Sequence, residues 1–279
     1  MTIAFIGHGY VGLVTAAVFA DLGNTVWVVG RTREKIEKLK KGETPFFEPG
    51  LEELVKRNLK AGRLVFTLDY AQAIAPSEII FICVGTPPKE NGEADLTSVY
   101  AAVESIGKSL TGYKVVVTKS TVPPGTNRRV SEIITKVKPA GTSFAIASVP
   151  EFLREGTAIE DTLHPDRVVI GTTSDRAQKL LLDLHKSIDG KTVLCNVETA
   201  ELIKYASNAF LSVKISFANA IALVSEKVGA DVENVLEGVG LDRRIGRSFL
   251  YPGVGYGGSC FPKDVKALIA IGAQNKYNF

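Results

Sequence analysis

Chemistry is concentrated in one stretch of the sequence, Gly253-Val254-Gly255-Tyr256-Gly257-Gly258-Ser259-Cys260-Phe261-Pro262-Lys263-Asp264. A thiol so placed can be a nucleophile. The four glycines before it let backbone approach a ligand closely, Lys263 can lower the thiol pKa, and Asp264 can hold a water. The same string also reads as a glycine-rich turn around a buried, inert cysteine, and composition alone does not choose between the two.

A second pair of chemical residues lies upstream. Lys204 and Asn208 are four apart in a proline-free stretch, Thr199 to Val228, where Leu202, Ala206, Ala209, Val213, Phe217, Ala220 and Val224 recur at helical spacing. On a helix the two polar groups share one face and suit a single ligand oxygen, although a solvated lysine and a capping-type asparagine fit the same positions. A helix of about 30 residues reaches roughly 45 Å, beyond the depth of one domain, so it is expected to span two domains or two subunits.

The chain opens with the apolar run Thr2-Ile3-Ala4-Phe5-Ile6, then Gly7-His8-Gly9-Tyr10-Val11-Gly12, then the helical pattern Leu13 to Ala20. In that strand–loop–helix context the glycines predict a dinucleotide site, with the pyrophosphate at a helix N-terminus. His8 reads as a tolerated loop residue. The second strand, Thr25-Val26-Trp27-Val28-Val29, ends in Gly30-Arg31-Thr32-Arg33, where an NAD enzyme usually has an acid for the adenosine ribose. Without that acid, two guanidinium groups favour a 2′-phosphate and bring NADP into play beside NAD. Alternatively, Arg31 and Arg33 are solvated residues opening the helix Glu34 to Lys41.

These residues need a scaffold, and the pattern supplies one. Strand-like runs recur at Leu64 to Thr67, Ile79 to Val84, Val115 to Thr118 and Phe144 to Ala147, with helices between them. This is the α/β, doubly wound pattern of a Rossmann-like parallel sheet. Two more strands, Arg167 to Ile170 and Thr192 to Cys195, flank a helix near Asp175 to Ser187 and are expected to extend it. Polar loops follow successive strands: Gly85-Thr86-Pro87-Pro88, Lys119 to Gly125 and Pro150-Glu151-Phe152-Leu153-Arg154-Glu155-Gly156. The predicted organisation is a dinucleotide-binding domain over 1–198, followed over 199–279 by the long connecting helix and a small central helical domain with the cysteine loop.

Composition narrows the classes. The 279 residues are 45% hydrophobic, and 33 Lys+Arg against 30 Asp+Glu give a net charge of +3, too balanced for nucleic acid as the main partner. No apolar run approaches the roughly 18 residues of a membrane span, and the first residues enter a strand rather than a signal peptide, which predicts a cytoplasmic protein. Three cysteines, Cys83, Cys195 and Cys260, have no metal-type spacing, so neither a disulfide framework nor a metal site is expected.

Taken together, the glycine loop, Ser120-Thr121-Val122-Pro123, Pro150 to Gly156, Leu202-Ile203-Lys204-Tyr205-Ala206-Ser207-Asn208-Ala209-Phe210 and Gly257 to Asp264 resemble the nucleotide-sugar 6-dehydrogenases, the UDP-glucose/GDP-mannose dehydrogenase family. The resemblance covers essentially the whole chain and is most specific at its last motif. It implies four-electron oxidation of a sugar C6 alcohol to a carboxylate with two nicotinamide cofactors in sequence. UDP-glucose is the implied substrate; GDP-mannose and N-acetylated UDP-sugars are alternatives, as is a catalytically incomplete dinucleotide-binding module.

On that resemblance Cys260 is the nucleophile, passing through a thiohemiacetal and a thioester. Lys204 and Asn208 stabilise the oxyanion, Thr121 and Asp264 hold the catalytic water, and Glu151 works as acid and base. The cofactor is implied at Gly7, Gly9, Tyr10, Val11, Gly12, Gly30, Arg31 and Lys35, and at Thr86, Thr121, Glu155 and Lys263. The sugar nucleotide is implied at Glu151, Phe152, Leu153, Lys204 and Asn208, and at Phe249, Leu250, Tyr251 and Gly257, with Arg244 reaching in from a neighbouring subunit of a homodimer built on the long helix. The family continues into a third, Rossmann-like domain that helps bind the nucleotide, whereas the sequence stops at Phe279: either it is the amino-terminal and central part of such an enzyme or its substrate site is completed differently.

Overall fold

A computed structural model describes residues 1–279. It separates into two compact units, Met1–Thr86 with Asp95–Leu202, and Pro87–Ala94 with Ile203–Phe279.

The first unit is built on an eight-stranded sheet in the order β3-β2-β1-β4-β5-β6-β7-β8. Its strands are β1 (Thr2–Ile6), β2 (Thr25–Val29), β3 (Leu64–Thr67), β4 (Ile79–Ile82), β5 (Tyr113–Thr118), β6 (Ser143–Ser148), β7 (Arg167–Gly171) and β8 (Lys191–Cys195). β1 to β6 are parallel, and the strands at the centre are continuous β-branched and aromatic runs because helices cover both faces. One face packs on α1 (Tyr10–Asp21), α3 (Leu51–Lys60), α7 (Ala158–Leu163) and α8 (Asp175–His185), the other on α4 (Tyr70–Ile74), α5 (Thr97–Lys108) and α6 (Thr126–Val137). The short α2 (Arg33–Lys40) follows β2 and buries only Ile36 and Leu39. α1 is apolar all round, with every residue from Gly12 to Ala20 buried, and Phe19 meets the stacked Phe5 and Phe81 rings, whose centroids are 4.8 Å apart.

The last two strands extend the sheet as expected, but not in the direction of the others. β7 and β8 are parallel to each other, but β7 meets β6 antiparallel through a single bridge, Ser148 with Gly171. The segment between β6 and β7 holds only the six-residue α7, too short for the helix-sized crossover that brings a chain back to start a parallel strand.

α9 (Val197–Val228), which belongs to the second unit from Ile203 on, begins two residues before the sequence pattern suggests, with the Asn196 side chain accepting from the Thr199 N–H. Its 32 residues reach about 48 Å. It is followed by α10 (Val232–Gly240) and α11 (Phe261–Gln274). α9 turns an unusual face inward: Lys204, Asn208 and Ser212 are buried, whereas Phe210, Val213, Phe217, Leu223 and Val224 are exposed. By length and mean hydropathy, 1.4 over 18 residues, it is also the one helix apolar enough to cross a membrane, contrary to the sequence-based expectation that no stretch comes near. A small core of Tyr205, Ala209, Ala267 and Leu268 joins α9 to α11. Arg247 ties α10 to the following loop through Glu233 at 3.1 Å, Glu237 at 3.0 Å and the Tyr251 ring.

A buried carboxylate anchors the start of α9. Glu201 accepts from the backbone N–H groups of Gly125 (2.8 Å) and Asn127 (3.1 Å) and from the Asn127 amide (2.8 Å), capping α6 directly after the polar loop that follows β5. Burial pushes its pKa up to about 7 against those three donors. His185, enclosed against Phe19 and bonded to the Leu181 carbonyl, is driven by burial to about 4.

The two groups work in opposite directions. His185 charges at a cost on acidification, so its contribution rises with pH over the range between its folded and ordinary values. Glu201 binds its proton more tightly in the folded chain, so its contribution declines as pH rises from the ordinary carboxylate range to about 7 and is constant above. Glu201→Gln cannot ionise and is expected to lose that decline: its Tm relative to the parent should climb between about pH 5 and 7.5. A Tm difference that does not move with pH would refute this reading of Glu201.

Candidate functional site

The strand–loop–helix unit at the start of the chain has the shape a pyrophosphate needs. Gly7 has φ +113°, and a Cβ there would lie 2.5 Å from the Cys83 carbonyl oxygen; one at Gly12 would lie 2.3 Å from the Gly7 oxygen. Each glycine is therefore required by close backbone packing. Gly9, which caps α1, has open space where its side chain would be, and no side chain caps the helix. Free N–H groups face an uncrowded surface, so the residues fit a dinucleotide. Val11 and Tyr10 open α1, and Thr86 is joined to the loop after β5, donating to the Thr121 carbonyl at 2.9 Å.

Tyr10 carries a contact that sequence reasoning missed. Its hydroxyl donates to Glu48, whose buried carboxylate also accepts from the N–H groups of Gly156 and Ala158, both at 2.8 Å. Glu48 thus clamps the loop Glu151 to Gly156 onto the first residue after the glycine loop. Burial and the Glu48 carboxylate push the Tyr10 phenol up; burial also pushes Glu48 up, but the three donors outweigh it and hold the carboxyl below its ordinary range. In sequence Glu48 stands before Pro49-Gly50 and an amphipathic helix, where an acid reads as ordinary helix-start chemistry.

The clamped loop is ordered internally as well. Glu151 accepts from the Leu153 N–H at 2.7 Å, Arg154 forks onto Asp161 at 2.5 Å, and the Arg167 guanidinium lies 3.7 Å from the centre of the Phe152 ring. Glu151, Phe152 and Leu153 line a cavity of about 50 Å³ with Lys119, Thr15 and His185, whereas Glu155 is exposed.

In the second unit Cys260 is the residue immediately before α11 and is exposed, with its sulfur 3.6 Å from the Ser259 hydroxyl. The other thiols are unsuited to reaction: burial pushes Cys83 up to about 12 and raises Cys195. One turn into α11, Asp264 is 1% exposed; it accepts from the Asn208 amide at 2.6 Å and the Lys263 ammonium at 2.5 Å. Lys263, expected beside the thiol, therefore directs its charge to Asp264. Asn208, expected to face a ligand oxygen with Lys204, commits a donor to the same carboxylate, and Lys204 lies one turn before it, buried on α9.

The remaining sequence-predicted residues are spread around this centre. Phe249 adopts φ +65° and sets its ring edge-on to Phe261, Leu250 is buried, and Tyr251 and Gly257 are exposed. Arg244 is held by Asp242 at 2.6 Å with its guanidinium in solvent.

Because Asp264 is buried, its partners decide whether its charge is tolerated. Asp264→Ala is expected to destabilise the chain by about 3 kcal/mol, and Asn208→Ala by about 1–3 kcal/mol. The double variant should fall short of the sum by about 1 kcal/mol or more in urea unfolding. Strict additivity would show that the two do not act together.

The comparisons with known proteins agree with this geometry. Residues 1–189 match the UDP-glucose/GDP-mannose dehydrogenase family, NAD binding domain, and residues 198–279 match its central domain. The chain is 52% identical over 277 residues to the UDP-glucose 6-dehydrogenase TuaD of Bacillus subtilis, covering 99% of this chain and 60% of that protein. It is 51% identical to the UDP-glucose 6-dehydrogenase of Rhizobium meliloti, covering 96% and 63%. Among solved structures, a UDP-glucose dehydrogenase from Pyrobaculum islandicum superposes with a TM-score of 0.95 at 44% identity, covering 99% of this chain and 65% of that one. A GDP-mannose dehydrogenase from Pseudomonas aeruginosa gives 0.84 at 37%, covering 99% and 65%. The chain thus spans about three fifths of the length of the curated relatives it matches. With both of its domains matched and half of its residues shared with such relatives, the chain belongs to the UDP-glucose/GDP-mannose dehydrogenase family.

Proposed function

We propose that this chain carries the chemistry of a nicotinamide-dependent, four-electron oxidation of UDP-glucose to UDP-glucuronate. The observation that carries the reading is Cys260: the one exposed thiol, one turn before a buried carboxylate held by Asn208 and Lys263. The choice of UDP-glucose over GDP-mannose rests on relatives near 50% identity that are named for UDP-glucose, against 37% for the GDP-mannose enzyme.

Bound at the glycine loop, a nicotinamide dinucleotide supplies the hydride acceptor, one molecule for each two-electron stage. The first stage turns the C6 alcohol into an aldehyde. The Cys260 thiolate adds to that carbonyl carbon, and the oxygen takes up the developing negative charge and then a proton, giving a thiohemiacetal. Lys204 and the Asn208 amide are the donors for this oxygen. Loss of the second hydride leaves a thioester; water adds to its carbonyl, the carbon–sulfur bond breaks, and the carboxylate leaves with Cys260 restored. Asp264 and Thr121 orient that water, and Glu151 exchanges protons with the reacting oxygen. Phe249, Leu250 and Tyr251 form a wall for the sugar.

The exposed apolar face of α9 suits a second copy of the chain, with Arg244 reaching the partner's substrate. The buried Lys204 and Asn208 make a protein-facing role for α9 the better reading than a lipid-facing one. A cytoplasmic enzyme acting on a soluble sugar nucleotide follows from the same reading.

Reduced cofactor counted against UDP-glucose consumed is the direct measurement. Two per sugar are expected, and Cys260→Ser should lower that turnover by about a thousand-fold or more. One reduced cofactor per sugar, or full turnover by the serine variant, would exclude the thioester route; faster turnover of GDP-mannose would reassign the substrate.

A further inference from the structure

The carboxyl end of β2 is where a dinucleotide enzyme reads the adenosine ribose. In an NAD enzyme an acid there accepts from the ribose hydroxyls and repels a 2′-phosphate. Here Gly30 holds that place, and the space beside it is filled. A Cβ on Gly30 would lie 2.5 Å from the His8 ring and 2.6 Å from the end of the buried Ile36 side chain. The missing acid is thus more than a substitution: His8, from the glycine loop, occupies the ground that an acid would use.

The surrounding charge is all of one sign. Arg31 and Lys35 flank His8 closely enough that, after burial, their charges are the forces lowering its pKa. Arg31 also acts on Tyr70 of α4. The two acids of α2 are engaged elsewhere, Glu34 with Lys38 at 3.3 Å and Glu37 with Lys40 at 2.9 Å, leaving Arg31, Arg33 and Lys35 without a carboxylate partner. Thr32, the residue before α2, makes no capping bond with its side chain, so its hydroxyl is also available. Two cations without a carboxylate partner that both act on one imidazole form a setting that a dianion suits.

We propose that Arg31, Lys35 and His8 form a cradle for the 2′-phosphate of NADP, with His8 as the residue that sets the choice by standing where an NAD-selecting acid would need to be. The inference rests on the dinucleotide-binding reading of this domain. Arg31 provides the bidentate fork, Lys35 the point charge, and the imidazole a further donor once the phosphate offsets the two cations.

Titrating the chain with NADPH and NADH, followed by nicotinamide fluorescence, tests it. NADPH should bind more tightly, and Arg31→Ala should lower NADPH affinity about ten- to a hundred-fold more than NADH affinity. Gly30→Asp alone should weaken both dinucleotides, because its side chain must displace His8 and Ile36. Gly30→Asp with His8→Ala and Ile36→Val, which removes the His8 ring and the end of the Ile36 side chain, should regain NADH binding but not NADPH binding. NADH binding at least as tight as NADPH, or an Arg31→Ala variant that loses both equally, overturns the inference alone. A chain that binds neither overturns the dinucleotide reading as well.

Discussion

A carboxylate that is 1% exposed must be surrounded by donors, and the second unit depends on how Asp264 meets that demand. Its partners come from two directions: Lys263 beside it and Asn208 across from it on α9. The bond to Asn208 fixes the rotation of α11 against α9, while Tyr205, Ala209, Ala267 and Leu268 supply the apolar contact that brings the helices together. Because Cys260 is the residue immediately before α11, the same bond sets where the thiol emerges. The arrangement ties Cys260, Asp264 and Asn208 together across α9 and α11.

The same constraint recurs in the first unit, where Glu201 and Glu48 are buried at the N-termini of α6 and α7. Each takes backbone N–H groups that the helix itself leaves unpaired, and each sits at the positive end of the helix dipole. One carboxylate secures the end of the loop carrying Thr121; the other draws the loop carrying Glu151 and Glu155 toward Tyr10. The loops at the carboxyl ends of the strands are therefore held by buried acids rather than by extra apolar packing, which leaves their outer surfaces free for a ligand. The β2 end differs, since there the acid is absent and the charge is cationic.

α9 reverses the usual relation between polarity and burial. Lys204, Asn208, Ser212 and Ser225 are enclosed, and Leu202, Phe210, Val213, Phe217, Leu223, Val224 and Val228 face outward. Exposed apolar residues along several turns form a patch of the kind that another protein surface covers, while on the buried side Asn208 bonds Asp264 and Ser212 bonds the Asn208 carbonyl. The helix thus presents one buried polar face and one exposed apolar face.

The sequence by itself determined the elements whose signals are local: the β1–glycine loop–α1 unit, the parallel core strands, the long helix, and the cysteine motif before α11. These rest on periodicity and residue type within short windows, which backbone sterics and side-chain burial enforce directly. Only the tertiary structure decided the direction of β7 and β8, because the shortness of α7 becomes decisive only when the sheet edge is in place. It also decided the attachment of residues 87–94 to the second unit, the engagement of Lys263 with Asp264, and the filling of the space at Gly30 by His8. Glu48 and Glu201 were invisible in the sequence for the same reason, since the donors that make them structural lie 110 and 76 residues away. A buried acid is defined by what surrounds it, and those surroundings are assembled from distant parts of the chain only when the core closes.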